Sequence, residues 1–250
     1  MSNPPISRRA VLAMLAGAIP AAAWSQSLFD QGKSLLDQAQ GQPTGKISSL
    51  PEGEIGSGLK EALKIASQRT VARIGKTDGY NGDPAIRIPL PGPLQTAVGP
   101  LKAMGAGGLL DDLQVKMNRS AEQAAPKAVD IFGAALGKMN IDDARAILAG
   151  PSDAATQYFK RTTTAQLTAA FRPVVESTLS SVGAVGVFGA VKEKASSIPF
   201  AGSEIQGFDL TDFTVGKALD GLFHYLAQEE ASIRANPAAR STELLKKVFG

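Results

Sequence analysis

Apolar residues recur at spacings of three and four along most of this 250-residue chain, and that period constrains the fold more than any other feature. Such spacing places the apolar side chains on one face of an α-helix. The clearest run follows Asp209, a capping residue, and at a rise of about 1.5 Å per residue its helix would be some 40 Å long, the longest in the chain. Its apolar positions are Leu210, Phe213, Leu219, Leu222, Phe223, Leu226 and Ile233.

Strand signals are nearly absent from the chain. Only residues 85–90 alternate in a way that suits an extended segment. The sequence therefore predicts an all-α fold, a single-domain multi-helix bundle of about eight or nine helices with no solenoid repeat.

Proline, glycine and capping residues mark where the first predicted helices begin and end. Pro51 suits a first helical turn and Gly75 a helix end, so we expect a helix over 51–74. Helices are also expected over 94–104 and from Leu109, the latter broken or kinked at Pro126 and continuing to Met139. Asn140 and Asp143 resemble a capping box for the helix that ends at Gly150.

The second half of the chain is also predicted to be helical. Two stretches, 152–162 and 164–183, form a helical pair with a bend near Pro173. A glycine-rich helix is expected over 184–197, followed by a second loop over 199–207. The sequence STELLKKVF, residues 241–249, is expected to close the chain as a short helix.

One long segment cannot be helical. In GKTDGYNGDPAIRIPLPGPL, residues 75–94, four prolines and four glycines exclude a regular helix. Ile86 and Ile88 lie at alternate positions and Leu90 continues their side, so we expect an ordered extended loop that packs these residues on the helices. Arg87 then points the opposite way, outward or into a cleft.

The amino terminus has the layout of a secretory signal peptide over residues 1–25. Arg8 and Arg9 precede an apolar run from Ala10 to Ile19, with small residues near the expected cleavage site. The arginine pair fits the twin-arginine pattern, and an ordinary Sec signal is the alternative. We expect a soluble periplasmic or secreted protein without a transmembrane segment. Residues 26–50 are expected to be a linker with a weak helix, or a disordered end, and 51–250 the helical domain.

Composition excludes several kinds of chemistry. The chain has no cysteine, which removes disulfides, thiolate nucleophiles and a lipidated amino-terminal cysteine, and its single histidine excludes a histidine-rich metal site. Loss of Arg8 and Arg9 with the signal lowers the formal charge from +3 to +1, and no basic stretch is interleaved with aromatics. We therefore predict no nucleic-acid partner, no metal and no cofactor.

Eight stretches together resemble the family of exported bacterial domains of unknown function numbered 4197. The resemblance covers nearly the whole chain after the signal and implies an exported, mostly helical domain, without implying any activity. The stretches are GLKEAL at 58–63, GKTDGY at 75–80, PAIRIPLP at 84–91, MNRSAEQAAPKA at 117–128, DDARAILAG at 142–150, AATQYFKRTT at 154–163, KALDGLF at 217–223 and NPAARSTELLKKVFG at 236–250.

Catalytic signals are weak. His224 has Asp220 four residues earlier on the same predicted face, but the chain has no G-x-S-x-G motif, so we expect His224 to be a half-buried packing residue. Adjacent acids on a helix point about 100° apart, so each pair directs at most one carboxylate to a common site. TDGYNGD lacks the ligand spacing of an EF-hand loop. The acid pairs are Asp111–Asp112, Asp142–Asp143 and Glu229–Glu230.

The segment AATQYFKRTT is the best candidate for binding. In one interpretation Phe159 packs in the core, Lys160 is solvated, and Tyr158 and Arg161 connect helices. In the other, Tyr158 and Arg161 form a site for an anion or a polar headgroup. Arg87, Arg119 and Tyr80 complete that candidate set.

Three functions remain open from the sequence, which identifies no activity and no oligomeric state. The preferred hypothesis is a non-catalytic binding module of the cell envelope, in which helices enclose a cleft for an apolar or lipid-like ligand and the proline-rich loop forms its rim. The alternatives are an enzyme that uses carboxylates, Tyr158 and His224, and a protein–protein interaction module. The absence of nucleophile, phosphate-loop and metal motifs favours binding.

Overall fold

The computed structural model describes residues 52–196 and 205–235. All regular structure in these ranges is helical, which confirms the all-α prediction. The predicted signal peptide, the linker, the closing helix and most of the 199–207 loop lie outside the described residues.

Eight α-helices and one 3₁₀ turn lie wholly within the described ranges, and residues 205–206 are also helical. The turn covers Ala125–Lys127, between the third and fourth helices. The helices are α1 (Glu52–Ile74), α2 (Gly92–Ala103), α3 (Gly107–Ala124), α4 (Ala128–Lys138), α5 (Ile141–Ala149), α6 (Ala154–Ser181), α7 (Ala184–Ala195) and α8 (Leu210–Ala235).

Several helix ends follow the predicted local chemistry. The Asn140 side chain accepts a hydrogen bond from the Asp143 amide, and Asp143 returns one to the Asn140 amide, so the predicted capping box is confirmed. Asp209 accepts a bond from the Asp212 amide at 2.8 Å at the start of α8. Pro126 lies in the 3₁₀ turn that separates α3 from α4.

One helix differs from the prediction. The two stretches expected at 152–162 and 164–183 form the single helix α6, which has 28 residues and is longer than the 26-residue α8. Pro173 has no amide hydrogen, so the Ala169 carbonyl lacks its helical hydrogen bond. Both residues are exposed. Water can bond that carbonyl at the surface, so the helix continues through the proline.

Helices α6 and α8 lie at the centre of the bundle. They pack on each other, α6 also packs on α3 and α4, and α1 packs on α8 and α4. Phe132 lies between Phe159 at 4.6 Å and Phe223 at 6.3 Å between ring centroids, so one aromatic cluster joins α4, α6 and α8. Residues spaced by three and four along α1 form its inner face and are all buried: Leu59, Leu63, Ala66, Thr70 and Ile74.

Residues 84–91, which we call the strap, contain no helix or strand and lead to α2. Residues 84–86 form a turn instead of the predicted extended segment, because the Asp83 carbonyl accepts hydrogen bonds from the amides of Ile86 and Arg87 at 3.2 and 2.8 Å. Ile86 and Ile88 are buried, Leu90 is half-buried, and Arg87 is exposed. No helix in the described ranges has by itself the length and hydropathy of a membrane span, and α6 with α7 meets these criteria only as a pair bent by 74°.

Candidate functional site

Polar residues of α3 bind the strap. Gln114 and Asn118 lie four residues apart on the helix, so they share a face. Asn118 is fully buried, and its Oδ1 accepts a hydrogen bond from the Ile88 amide at 2.8 Å while its Nδ2 donates to the Ile88 carbonyl at 3.0 Å. The Gln114 amide donates to the same carbonyl at 3.1 Å. The Asn118 side chain therefore pairs with the strap backbone as a neighbouring strand would.

Glu122, one further turn along α3, binds the loop that precedes the strap. It is 3% exposed, and its Oε1 accepts hydrogen bonds from the amides of Tyr80 and Asn81, both at 3.1 Å. Arg119 donates to the other oxygen of Glu122 at 2.7 Å and to Asp78 at 2.8 Å. Buried charge is stable here because it is paired and hydrogen-bonded.

The same network shifts two pKa values. The carboxylate of Glu122 raises the pKa of Arg119, and hydrogen bonds from Asn81 and Arg119 hold the pKa of Asp78 below its usual range. Asp78 has a φ of 63°, a left-handed conformation that costs energy in a residue other than glycine. The ion pair with Arg119 compensates part of that cost.

A second cluster connects the loop to α8. The Tyr225 hydroxyl donates a hydrogen bond to Asp83, and the Arg73 guanidinium lies 3.7 Å from the centre of the Tyr225 ring and 3.5 Å from Asp83. The bond from Tyr225 lowers the pKa of Asp83, while burial and the same bond raise the pKa of Tyr225. At neutral pH this is a phenol donating to a carboxylate beside a cation.

Tyr80 is a core residue and is not available to a ligand. Its ring is fully buried, and its hydroxyl donates to the Ala218 carbonyl of α8 at 2.6 Å. Burial raises its pKa, so the side chain stays a neutral phenol. Gly221, one turn after Ala218, leaves room for the ring: a Cβ there would lie 2.6 Å from Tyr80 Cε1.

The five predicted ligand-binding residues fall into separate places. Tyr80 and Arg119 meet at Glu122, whereas Tyr158 and Arg161 meet on α6, where the guanidinium lies 5.9 Å from the Tyr158 ring. Tyr158 is buried with its hydroxyl 3.4 Å from the Ala135 carbonyl, and Arg87 is exposed. Within the described ranges, no side-chain hydrogen bond or ion pair joins Arg87 to either group.

The arrangement around Tyr158 favours the packing interpretation. Phe159 is fully buried and Lys160 is exposed, as that interpretation predicts. Burial raises the pKa of Tyr158, which keeps its hydroxyl protonated.

The prediction for His224 was wrong. We expected a half-buried packing residue, and the ring is exposed, hydrogen-bonded to Gln228 at 2.8 Å. Positions 222, 223, 225 and 226 all face the core, so 224 is left on the outer face of α8. Asp220 pairs with Lys217 at 2.9 Å and does not orient the histidine.

Glu230, of the acid pair Glu229–Glu230, is buried. It is 4% exposed, and it accepts hydrogen bonds from the backbone amides of Ala155 and Thr156 at 2.9 and 2.8 Å. Arg234 donates to it at 2.9 Å. A carboxylate from α8 thus caps the positive end of α6. No local signal marks this role, because the partners are 75 residues apart.

No cluster of acids and histidines in the described residues has the arrangement of a metal site. In TDGYNGD, the carboxylate of Asp78 is bonded to Arg119 and Asn81, and that of Asp83 to Tyr225 and Arg73. These acids stabilise the loop.

Among the surface pockets lined by described residues, two have a volume of about 370 Å³ and offer places for a ligand. The first lies between the start of α1 and the start of α5, and glycines, Ser57, Lys60 and Asn140 supply much of its wall. The second, which we call the Phe188 pocket, lies between the end of α6, α7 and the start of α8. Its lining is Leu179, Val185, Phe188, Lys192, Gln206, Gly207, Phe208, Asp209, Leu210 and Thr211.

Aromatic packing builds the wall of the Phe188 pocket. The Phe188 and Phe208 rings meet edge to face with centroids 6.3 Å apart, and Phe208 lies 5.4 Å from Phe213. Val185 is 60% exposed. Among the large apolar residues of the described ranges, Val185 and Met104 are the exposed ones, and Val185 is the more exposed of the two. Neither Arg87 nor the other four predicted site residues line this pocket.

The fold and these features define an all-α domain with an apolar surface pocket and an internal polar network that binds the loop between α1 and α2. The chain belongs to the family described as protein of unknown function, DUF4197, which matches residues 49–250 and confirms the resemblance noted in the sequence. No curated protein and no solved structure shows a significant match to it.

Proposed function

We propose that this protein is a non-catalytic binding module of the cell envelope and that its ligand places an apolar group in the Phe188 pocket. The observation that carries the proposal is the combination of two aromatic rings with the exposed Val185 at one surface pocket. The predicted ligand-binding residues do not line this pocket; they are Arg87, Arg119, Tyr158, Arg161 and Tyr80. Tyr80, Arg119 and Tyr158 are bonded to other parts of the fold.

The pocket has the size and lining of a small-molecule site. Ligand sites typically measure about 300–1,000 Å³ and are lined by apolar and aromatic side chains with a few polar groups. Here Leu179, Phe188 and Leu210 are buried in the wall, while Val185 presents apolar surface to solvent. Covering such surface is favourable at roughly 25 cal/mol per Å².

The enzyme alternative receives less support. It relied on carboxylates, Tyr158 and His224, and the hydroxyl of Tyr158 is buried against α4 while His224 lies on the outer face of α8. The interaction-module alternative would use the same kind of apolar surface to bind a larger partner. Native mass spectrometry, described below, distinguishes a protein partner from a small ligand.

A neutral fluorescent probe tests the proposal directly. N-phenyl-1-naphthylamine gains fluorescence in an apolar site, so we expect saturable binding to the wild-type protein. Val185→Asp should weaken it at least about tenfold, because a carboxylate at the pocket opposes apolar burial. The residue is exposed and begins a helix, where an acid is tolerated, so the fold should be unaffected.

Met104→Asp is the matched control, since Met104 is exposed and does not line the pocket. Equal losses in both variants, or no saturable binding by the wild type, would refute the assignment of the pocket. Native mass spectrometry of protein purified from cells then shows whether a small ligand or a protein partner is retained.

We also propose that the protein acts in the periplasm after twin-arginine export, with residues 26–50 linking the signal to the 51–250 domain. Support comes from the Arg8–Arg9 pair before a short apolar run. Replacing both arginines with lysine should retain the precursor in the cytoplasm, as measured by fractionation. Normal export of that variant would contradict the twin-arginine route.

A further inference from the structure

Resting on the proposed function, we infer that the ligand of the Phe188 pocket is a singly charged anionic amphiphile, an aliphatic chain with a carboxylate-type head bound by Lys192. Lys192 lines the pocket one helical turn after Phe188, and its ammonium lies 4.8 Å from the centre of the Phe188 ring. The cation is therefore beside the aromatic wall, where a head group would follow a buried chain.

The position of the ammonium is set by the protein. Lys192 Nζ donates to the Gln206 carbonyl at 3.0 Å. The side chain therefore reaches from α7 to the residues that precede α8. An ammonium has three donors. The bond to Gln206 uses one, and no carboxylate in the described residues pairs with Lys192, so donors remain for an anionic head.

The other charged residue of the lining, Asp209, is partly compensated by its own partners. Asp209 accepts the Asp212 amide at 2.8 Å, and the Arg172 guanidinium lies 3.4 Å from its carboxylate. Arg172 also pairs with Asp212. Lys192 is therefore the charged lining residue without an ion-pair partner among the described residues, whereas Asp209 shares the Arg172 guanidinium with Asp212.

Two physical effects favour an anionic head over a neutral or a cationic one. A carboxylate at Lys192 would form a charge-assisted hydrogen bond, which is about twice as strong as a neutral one. A cationic head would lie close to the Lys192 ammonium and would be repelled by it. Binding of an acid should accordingly exceed that of the matched alcohol by about fivefold to tenfold at low salt, and salt should reduce the difference.

Displacement of N-phenyl-1-naphthylamine by three twelve-carbon amphiphiles tests the inference. The probes are dodecanoate and dodecyltrimethylammonium, each below its micelle concentration, and dodecanol below its solubility limit, all at pH 7.5. We expect dodecanoate to bind most tightly to the wild type, with its advantage lost in Lys192→Met and retained in Lys192→Arg. Lys138→Met, which removes the same charge from a lysine outside the pocket, should behave as wild type.

The outcomes separate the two proposals. If dodecanol matches dodecanoate in the wild type, or if the cation binds most tightly, the anionic inference is wrong while the pocket stands. If Lys138→Met abolishes the preference as fully as Lys192→Met, the preference reflects overall charge and the role of Lys192 is refuted. If no amphiphile and no probe binds, both proposals fail. Thermal melting of each variant checks that it is folded.

Discussion

Replacement of Gly221 by alanine is the sharpest test of how the proline-rich loop packs. A glycine inside a helix normally costs about 0.5–1 kcal/mol relative to alanine, so intrinsic helix propensity predicts that Gly221→Ala stabilises the protein. The structure predicts the opposite, because a Cβ at 221 would lie 2.6 Å from Cε1 of Tyr80 and 3.1 Å from Cβ of Ile86.

The ring of Tyr80 has little freedom to move away. It is fully buried, and its hydroxyl is bonded to the Ala218 carbonyl at 2.6 Å on the same helix. Overpacking of this kind costs roughly 1–3 kcal/mol, which exceeds the propensity gain over most of that range. We expect a net destabilisation of about 1–2 kcal/mol, or a melting temperature lower by roughly 2–8 °C in a domain of this size.

Gly216 provides the control on the same helix. It is exposed, and a Cβ there would have no neighbour within 4 Å, so Gly216→Ala should stabilise by about 0.5–1 kcal/mol. Urea and thermal unfolding followed by circular dichroism at 222 nm measure both variants. In a Tyr80→Ala background, Gly221→Ala should lose its penalty, since the clashing ring is gone. If Gly221→Ala is as stabilising as Gly216→Ala, Tyr80 does not lie on α8 as described.

Three further predictions concern the buried polar groups. Glu230→Ala should destabilise the protein by roughly 3 kcal/mol in urea unfolding, because it leaves the amides at the start of α6 without their acceptor. Glu229→Ala should cost less than about 1 kcal/mol. Equal costs for the two variants would contradict the capping role. Asn118→Leu should cost about 2 kcal/mol and make the strap sensitive to limited proteolysis, because the buried Ile88 amide loses its acceptor and the Ile88 carbonyl keeps only the bond from Gln114. An uncut strap and unchanged melting would count against this contact. Asp83 has a lowered pKa in the folded protein, so its stabilising contribution is present above about pH 4 and is lost as the pH falls through the folded value. Asp83→Asn should therefore lower the melting temperature at pH 7 and have a progressively smaller effect as the pH is lowered below about 4; a decrease of the same size at every pH would refute the linkage.

Local signals accounted for much of the helical architecture. The spacing of Leu59, Leu63 and Ile74 identifies a buried helix face, and the Asn140–Asp143 capping box depends on residues three apart. The alternation of Ile86 and Ile88 likewise indicated which side of the strap is buried. These features are readable because neighbouring residues and a fixed backbone period decide them.

The sequence alone determined an all-α chain, the inner faces of its helices, its freedom from cysteine chemistry and the family to which it belongs. The tertiary structure alone decided which polar groups are buried together: Glu122 with the Tyr80 amide, 42 residues away, and Glu230 with the start of α6. It also placed His224 outward and brought Phe188 and Phe208 to one pocket. Such pairings depend on how distant helices pack, and a local period carries no information about which distant backbone amide a carboxylate will meet.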